Sequence, residues 1–182
     1  PELSLDPSGR PEVAILADPD VAKGFAQVTL PVFAVPGESV EADYQNSMLD
    51  SMAFDMIATR LGNDALRGAA PFDDAQDTDR ARSTPEATQA IFDEHERVRR
   101  YGFSQAEVDR VVAAYRSSAQ TAFDGRGSRQ DADFADEYVR HALTGEPIPT
   151  AEAQFEFTQE VLDRATPETI AFRFVQRLAT AG

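Results

Sequence analysis

The chain has 182 residues, enough for one packed domain, and its hydrophobic fraction of 42% and charged fraction of 27% argue against wholesale disorder. Its formal net charge of −15 favours solubility and repels phosphate backbones and anionic lipid surfaces, so nucleic acid and membrane partners are not expected. The chain contains no cysteine, which excludes disulfides, a thiol nucleophile and thiolate metal ligands.

Two β-strands are predicted near the start of the chain, at Glu12–Asp18 and Phe25–Phe33. In the second, Val28, Leu30 and Val32 occupy every other position, which is the period of a half-buried strand. We expect the two segments to pair as antiparallel strands. The second strand should lie at an edge or bend, because the proline within it cannot donate a hydrogen bond to a ladder.

Six helices are predicted after the strands. Ser39 caps the first, which runs to about Arg67, and Thr84 with a proline at the next position begins the second. Gly102 fits the residue just past the end of that helix, and Ser104 opens a Ser-x-x-Glu capping box for the third.

The third helix is expected to end near Asp124, before a glycine-rich break. Asp131, Thr150 and Thr166 are the predicted caps of the last three helices. Two strands followed by six helices predict an α+β fold, with an antiparallel sheet packed against helices. The predicted buried positions are the apolar residues that share one face of each helix: Tyr44, Met48, Leu49, Met52, Met56, Ile57, Leu61, Val108, Val111, Val112, Tyr115, Ala119, Phe123, Phe134, Tyr138, Leu143, Phe155, Leu162, Ile170, Phe174 and Leu178.

His95 stands between Glu94 and Glu96, as histidines do on zinc-peptidase helices. Such helices need a second histidine within three to five residues, so that both imidazoles reach one ion. The only other histidine is His141, which is 46 residues away. We therefore interpret His95 as part of a charged, solvent-facing helix surface, and His141 as a polar group near a helix end.

An acidic loop is predicted between the first two helices, because residues 68–84 show no apolar period. Asp73, Asp74, Asp77 and Asp79 lie in this loop. The segment lacks the central glycine and final glutamate of a calcium loop, so a solvated loop is the preferred interpretation. If this loop contacts a peptide, its charge favours basic ones.

No other catalytic motif emerges. The sequence contains no Gly-x-Ser-x-Gly elbow and no phosphate-binding glycine loop followed by Lys-Ser/Thr. No catalytic residue and no metal ligand is therefore assigned. No apolar run approaches the length of a bilayer span, and the first residues lack the regions of a signal peptide. Those first residues are typical of a linker within a longer chain, so we expect 1–182 to be one domain of a larger protein.

Two segments, ERVRRYGFSQAEV at Glu96–Val108 and LTGEPI at Leu143–Ile148, occur in a recognisable order. Together with the opening DPDVAKGFAQVTLPV at Asp18–Val32, they resemble the C-terminal-type domain of the insulinase/pitrilysin zinc metallopeptidases. Members commonly carry Glu-Arg, then Gly-Phe-Thr/Ser and Glu at a helix junction, and Gly-Glu-Pro-Ile at a later helix end. The resemblance spans residues 12 to about 180.

The resemblance implies an antiparallel sheet backed by helices, in a peptidase built from repeated domains around a chamber. Active repeats carry a His-x-x-Glu-His zinc motif, which this sequence lacks, so zinc is expected only in a partner repeat. Family members usually have further strands where this chain has only Gly68–Thr84. The sheet is therefore expected to be shortened, completed by another chain, or lacking residues.

Two functions follow as hypotheses. The first is a non-catalytic repeat that helps to form the peptide-substrate chamber beside a catalytic metallopeptidase repeat, in the same or another chain. The alternative is a protein-interaction or assembly module of the same fold with no peptidase activity. A peptide substrate and a second copy of the chain, as a homodimer, are the other candidate partners. By analogy with bacterial members, a periplasmic or otherwise exported location is expected.

Overall fold

The computed structural model describes residues 39–69, 84–128, 131–144 and 147–180. These residues form six α-helices and one short 3₁₀ turn, Arg126–Ser128. The helices are α1 (Val40–Leu66), α2 (Thr84–Tyr101), α3 (Gln105–Asp124), α4 (Asp131–Thr144), α5 (Ala151–Arg164) and α6 (Pro167–Thr180). The prediction of six helices is confirmed for this part of the chain, and their bounds agree with the predicted caps to within a residue or two.

Local hydrogen bonds set where the helices begin, because the first amides of a helix have no partner within it. The hydroxyl of Ser39 accepts from the amide of Ala42 at 3.2 Å, and Thr150 accepts in the same way from Ala153 at 3.1 Å. Thr166 has the same role at the start of α6. These caps are short-range contacts, which is why they could be predicted from sequence.

The longest helix, α1, lies at the centre of the described fold. Helices α2, α3 and α6 pack along it, and α5 packs against α3. The buried side chains of α1 are mostly apolar: Met48, Leu49, Met52, Ala53, Met56, Ile57 and Leu61, together with Asp50. The apolar ones join a single cluster with Val98 of α2, Val108 of α3, Leu162 of α5 and Ile170 and Phe174 of α6.

The predicted α+β fold with an antiparallel sheet is wrong, because the described part of the chain is all-α and contains no strand. The apolar stripe of α1, which was expected to belong to a sheet-and-helix core, is covered by three other helices. The two segments predicted as strands, Glu12–Asp18 and Phe25–Phe33, lie outside the described residues.

The burial of side chains on helix α4 also differs from the prediction. Tyr138 and Leu143 were predicted to be buried, but their side chains are 63% and 79% exposed. A helical period shows that apolar residues share one face, but it does not show that another element covers that face. The third predicted residue, Phe134, has a side chain outside those that the structure describes.

Two phenylalanines on α6 provide a test of the helical core. Phe174 is fully buried, whereas Phe172 is 65% exposed. We expect Phe174→Ala to lower the free energy of unfolding by about 3–5 kcal/mol, because it removes a buried ring and leaves a cavity. Phe172→Ala should change it by less than about 0.5 kcal/mol. Urea denaturation of the two variants checks this, and equal losses would contradict the described packing.

Candidate functional site

A groove of about 900 Å³ lies between the first turns of α1, helix α4, the connection Pro147–Pro149 and the first turns of α5. Its volume is at the upper end of the roughly 300–1,000 Å³ that is typical of ligand sites. The described lining residues are Ser39, Val40, Glu41, Asp43, Tyr44, Ser47, Glu137, Pro147, Ile148, Pro149, Ala153, Gln154 and Phe157. Most of the lining surface is apolar.

An aromatic pair holds one wall of the groove in place. The rings of Tyr44 and Phe157 lie 5.6 Å apart, centroid to centroid, and are tilted by 57°. The Tyr44 hydroxyl lies 3.0 Å from the hydroxyl of Thr158. Because Thr158 donates its own proton to the carbonyl of Gln154 at 2.7 Å, Tyr44 is the donor in the pair. The hydrogen bond and the ring contact therefore join Tyr44 of α1 to α5.

The opposite wall comes from the connection between α4 and α5. Proline lacks an amide proton and fixes its own φ angle, so Pro147 and Pro149 hold this connection extended. Ile148 stands between them with 39% of its surface exposed. An occupant of the groove would therefore meet an aliphatic side chain on a stiff backbone.

The described lining contains three carboxylates, Glu41, Asp43 and Glu137, and no basic residue. Hydrogen bonds from its own backbone amide and from the Ser39 side chain hold the pKa of Glu41 below its usual value, so it is ionised at neutral pH. Asp43 and Glu137 also interact with other groups. The groove thus offers apolar surface with negative charge at its edge, which suits an uncharged or basic segment better than an acidic one.

Sequence reasoning missed this groove. It forms where elements more than 100 residues apart in sequence meet, as Tyr44 and Phe157 do. The one sequence signal was the Pro-Ile-Pro run, which was predicted to be extended. The predicted peptide-contact residues, Asp73, Asp74, Asp77 and Asp79, lie outside the described residues.

The interpretation of His95 as part of a solvent-facing charged surface needs correction. Its ring is half-buried and meets the buried ring of Phe174 edge-on, with the centroids 5.4 Å apart. This burial lowers the pKa of His95 below its ordinary value. His95 is therefore a neutral packing residue at neutral pH. The other histidine, His141, is exposed on α4.

Glu94 was also expected to face solvent, but it is only 3% exposed. Its two carboxylate oxygens each meet a guanidinium, Arg60 at 2.9 Å and Arg97 at 2.9 Å. Sequence position alone could not predict this, because the main partner lies on α1, 34 residues earlier. Glu96 remains at the surface, where Arg99 and Arg100 lower its pKa to about 2.

Arg60 joins three helices at the junction that the sequence marks as a glycine stop and a capping box. It donates to Glu94 of α2 and makes two bonds to Glu107 of α3, at 2.5 and 2.8 Å. It also donates to the carbonyl of Gly102 at 3.1 Å, and Gly102 has the left-handed φ of +65° that favours glycine. The capping box of Ser104 and Glu107 is confirmed. The same Glu107 carboxylate therefore caps α3 and binds α1.

Metal donors are not brought together among the described residues. No group of three or more histidine or carboxylate side chains there has the geometry to hold an ion. The carboxylates beside His95 are instead engaged by arginines. None of the described helices combines the length and apolar character needed to cross a bilayer.

Comparison with protein-family models, with curated proteins and with solved structures gave no match for this chain.

The Arg60 junction gives a prediction for acid sensitivity. Hydrogen bonds from Arg60 are the main reason that the pKa of Glu107 falls to about 2. A carboxylate with a lowered folded pKa stabilises the fold above its unfolded pKa of about 4.3, and loses that effect as the pH falls towards about 2. We expect Arg60→Gln to cost about 3 kcal/mol at pH 7, which is the lower end of values for breaking a buried ion pair. The cost should shrink as the pH falls from about 5 towards about 2.

Urea unfolding of both proteins across this pH range measures the effect. Arg110→Gln is the matched control, because Arg110 is exposed and donates only to a carbonyl in its own helix. It should cost less than about 0.5 kcal/mol at every pH. A cost of Arg60→Gln that does not vary with pH would contradict the role assigned to Glu107.

Proposed function

We propose that this chain is a non-catalytic repeat of an insulinase/pitrilysin-type zinc metallopeptidase, and that its groove holds peptide beside a catalytic repeat. The observation that carries the proposal is the wall of the groove. Pro147 and Ile148, which end the family-like segment Leu143–Ile148, are lining residues. The antiparallel sheet that the resemblance implies is not part of the proposal.

Peptide chemistry fits the groove in two respects. An extended peptide presents side chains to alternate sides, so every second residue can reach the apolar surface formed by Tyr44, Ile148 and Phe157. Each aliphatic side chain that is fully buried there contributes about 1.5–3 kcal/mol. The walls are held by the aromatic pair and the two prolines, so little ordering of the groove is needed on binding.

The negative charge at the edge of the groove determines which peptides we expect it to prefer. Glu41 is ionised at the edge of the groove, and local negative potential concentrates cationic ligands. The acidic loop residues Asp73, Asp74, Asp77 and Asp79 remain a sequence-based proposal for a second peptide contact of the same sign. We therefore propose that basic peptides bind better than acidic ones of equal apolar content. Equal binding of the two at low salt would contradict this preference.

A fluorescein-labelled peptide with alternating valine and threonine between terminal arginines tests the groove. We expect Ile148→Ser to weaken binding about fivefold to tenfold, because an aliphatic contact worth about 1–1.5 kcal/mol is lost. Val139→Ser is the matched control, since Val139 is exposed on α4 and does not line the groove. Fluorescence anisotropy measures both. Equal weakening by the two variants, or by neither, would place the peptide elsewhere.

Metal analysis tests the non-catalytic assignment. We expect the purified chain, with excess zinc, to retain no stoichiometric zinc after desalting and to cleave no peptide in a chelator-sensitive way. The reason is that a zinc peptidase site needs at least three protein ligands and an open position, and the sequence supplies two distant histidines. Stoichiometric zinc together with chelator-sensitive cleavage would overturn the assignment.

A second candidate is a protein-interaction or assembly module without a peptidase partner, including assembly as a homodimer. The observation that favours it is that the described lining of the groove comes from helices and one connection. The neighbouring coding sequence discriminates the two candidates. A His-x-x-Glu-His helix encoded upstream or in a co-expressed subunit supports the first, and we then propose export to the periplasm as for bacterial members. Its absence supports the second.

A further inference from the structure

We infer that two copies of this chain associate through one face of α4, with the two α4 helices packed antiparallel about a twofold axis. The face is the α4 stripe, formed by Ala135, Tyr138, Val139, Ala142 and Leu143. The inference goes beyond the proposed function and does not depend on it, because the stripe lies outside the groove.

The residues of the α4 stripe have the spacing of a helix face that is normally buried. Positions i, i+3, i+4, i+7 and i+8 share one side of a helix, and the stripe occupies these positions between Ala135 and Leu143. All five residues are nevertheless exposed, with Tyr138 at 63%, Val139 at 55% and Leu143 at 79%. A contiguous exposed apolar patch, unlike scattered apolar residues, marks an interaction surface.

The groove lies on the other side of α4. Glu137 is the residue of this helix among the described lining residues. Successive residues of a helix are about 100° apart around its axis, so the stripe residues lie about 100–240° from Glu137. A partner that covers the stripe therefore leaves the groove open.

The α4 stripe is complementary to itself when the helix direction is reversed. Ala135 and Ala142 are seven residues apart, which is one heptad. In an antiparallel pair centred between Tyr138 and Val139, Ala135 of one copy lies opposite Ala142 of the other. At the centre, Tyr138 of each copy lies opposite Val139 of the other. Small residues at both ends let the helices approach closely, and a twofold axis is the commonest symmetry of homo-oligomers.

Charge favours this face over other surfaces for contact between copies. Each copy has a formal net charge of −15, so two copies repel each other in most orientations. The α4 stripe contains no carboxylate and no basic group, so pairing there buries no charge. The repulsion that remains acts over a longer range and is screened by salt. Added salt should therefore strengthen the dimer.

The size of the stripe determines how strong the dimer can be. From Ala135 to Leu143 the helix rises by about 12 Å. Interfaces that bury less than about 1,200 Å² in total are typical of weak, transient complexes. Contact between two single helix faces belongs to this class, so we expect monomer and dimer to exchange rapidly.

Disulfide trapping tests the antiparallel arrangement, and the cysteine-free chain supplies no competing thiol. Ala135→Cys and Ala142→Cys are made in separate full chains, one of them tagged, and the two proteins are mixed. The mixed disulfide should form at least tenfold faster than the disulfide of either variant with itself, because like positions are about 10 Å apart along the helix axes. Faster self-disulfides would indicate parallel helices, and equal rates would indicate random collision. Either result would overturn the inference.

Sedimentation equilibrium tests whether the α4 stripe causes the association. Between about 5 and 500 μM the unmodified chain should show a monomer–dimer equilibrium, as expected for a small interface. Leu143→Asp should raise the dimer Kd at least tenfold. Phe172→Asp is the matched control, because Phe172 is 65% exposed on α6, outside the stripe, and the added charge is the same. A chain that stays monomeric, or equal weakening by the two variants, would overturn the inference.

Two further measurements complete the test, once far-UV circular dichroism shows that both variants keep their helices. Raising the salt concentration about tenfold should lower the dimer Kd of the unmodified chain, whereas a higher Kd would indicate an ionic interface and overturn the inference. Leu143→Asp should bind the labelled basic peptide as the unmodified chain does. If neither protein binds the peptide but the mixed disulfide forms, the inference stands and the proposed function fails.

Discussion

Burial of one helix, α1, is the constraint on which the rest of the described structure depends. Its apolar stripe is too wide to be covered by a single neighbour, so α2, α3 and α6 all pack along it. Two buried ionic contacts then fix which neighbour lies where. Asp50 accepts two bonds from Arg173 and one from Arg177 of α6, and Arg60 binds Glu94 and Glu107. An apolar stripe alone would allow the helices to slide or exchange places.

These ionic contacts carry specificity more than stability. Removing a carboxylate such as Asp50 or Glu94 from water is costly, and the attraction of its arginines returns little beyond that cost. Removing one partner of such a pair lowers the free energy of unfolding strongly, because the other partner is left as a buried, unpaired charge. Within the described residues, no buried side-chain nitrogen or oxygen lacks a hydrogen-bond partner. In the described arrangement of α2 and α6 against α1, the carboxylates of Glu94 and Asp50 are each paired with two arginines.

A feature could be predicted from sequence when the residues that interact to form it lie close together along the chain. Helix starts depend on residues three apart, such as Ser104 and Glu107, and these predictions are confirmed. Glu94 was predicted to be exposed and is buried, and Leu143 was predicted to be buried and is exposed. Both outcomes depend on elements far away in sequence. The α+β prediction was wrong because the described part of the chain is all-α, and the two predicted strands lie outside that part. The groove could not be predicted, because no local pattern shows that α1 and α5 place Tyr44 beside Phe157.

The central proposal is that the helical core around α1 supports a peptide-binding groove at one end. Hydrogen exchange, followed by mass spectrometry with and without the labelled basic peptide, tests it most directly. We predict slow exchange from Leu49 to Leu61 in both states, because these amides lie in the buried part of α1. Peptide should add protection only at Val40–Ser47, Ile148–Phe157 and the turn of α4 around Glu137, which line the groove. Protection that appears elsewhere, or fast exchange throughout α1, would contradict the account.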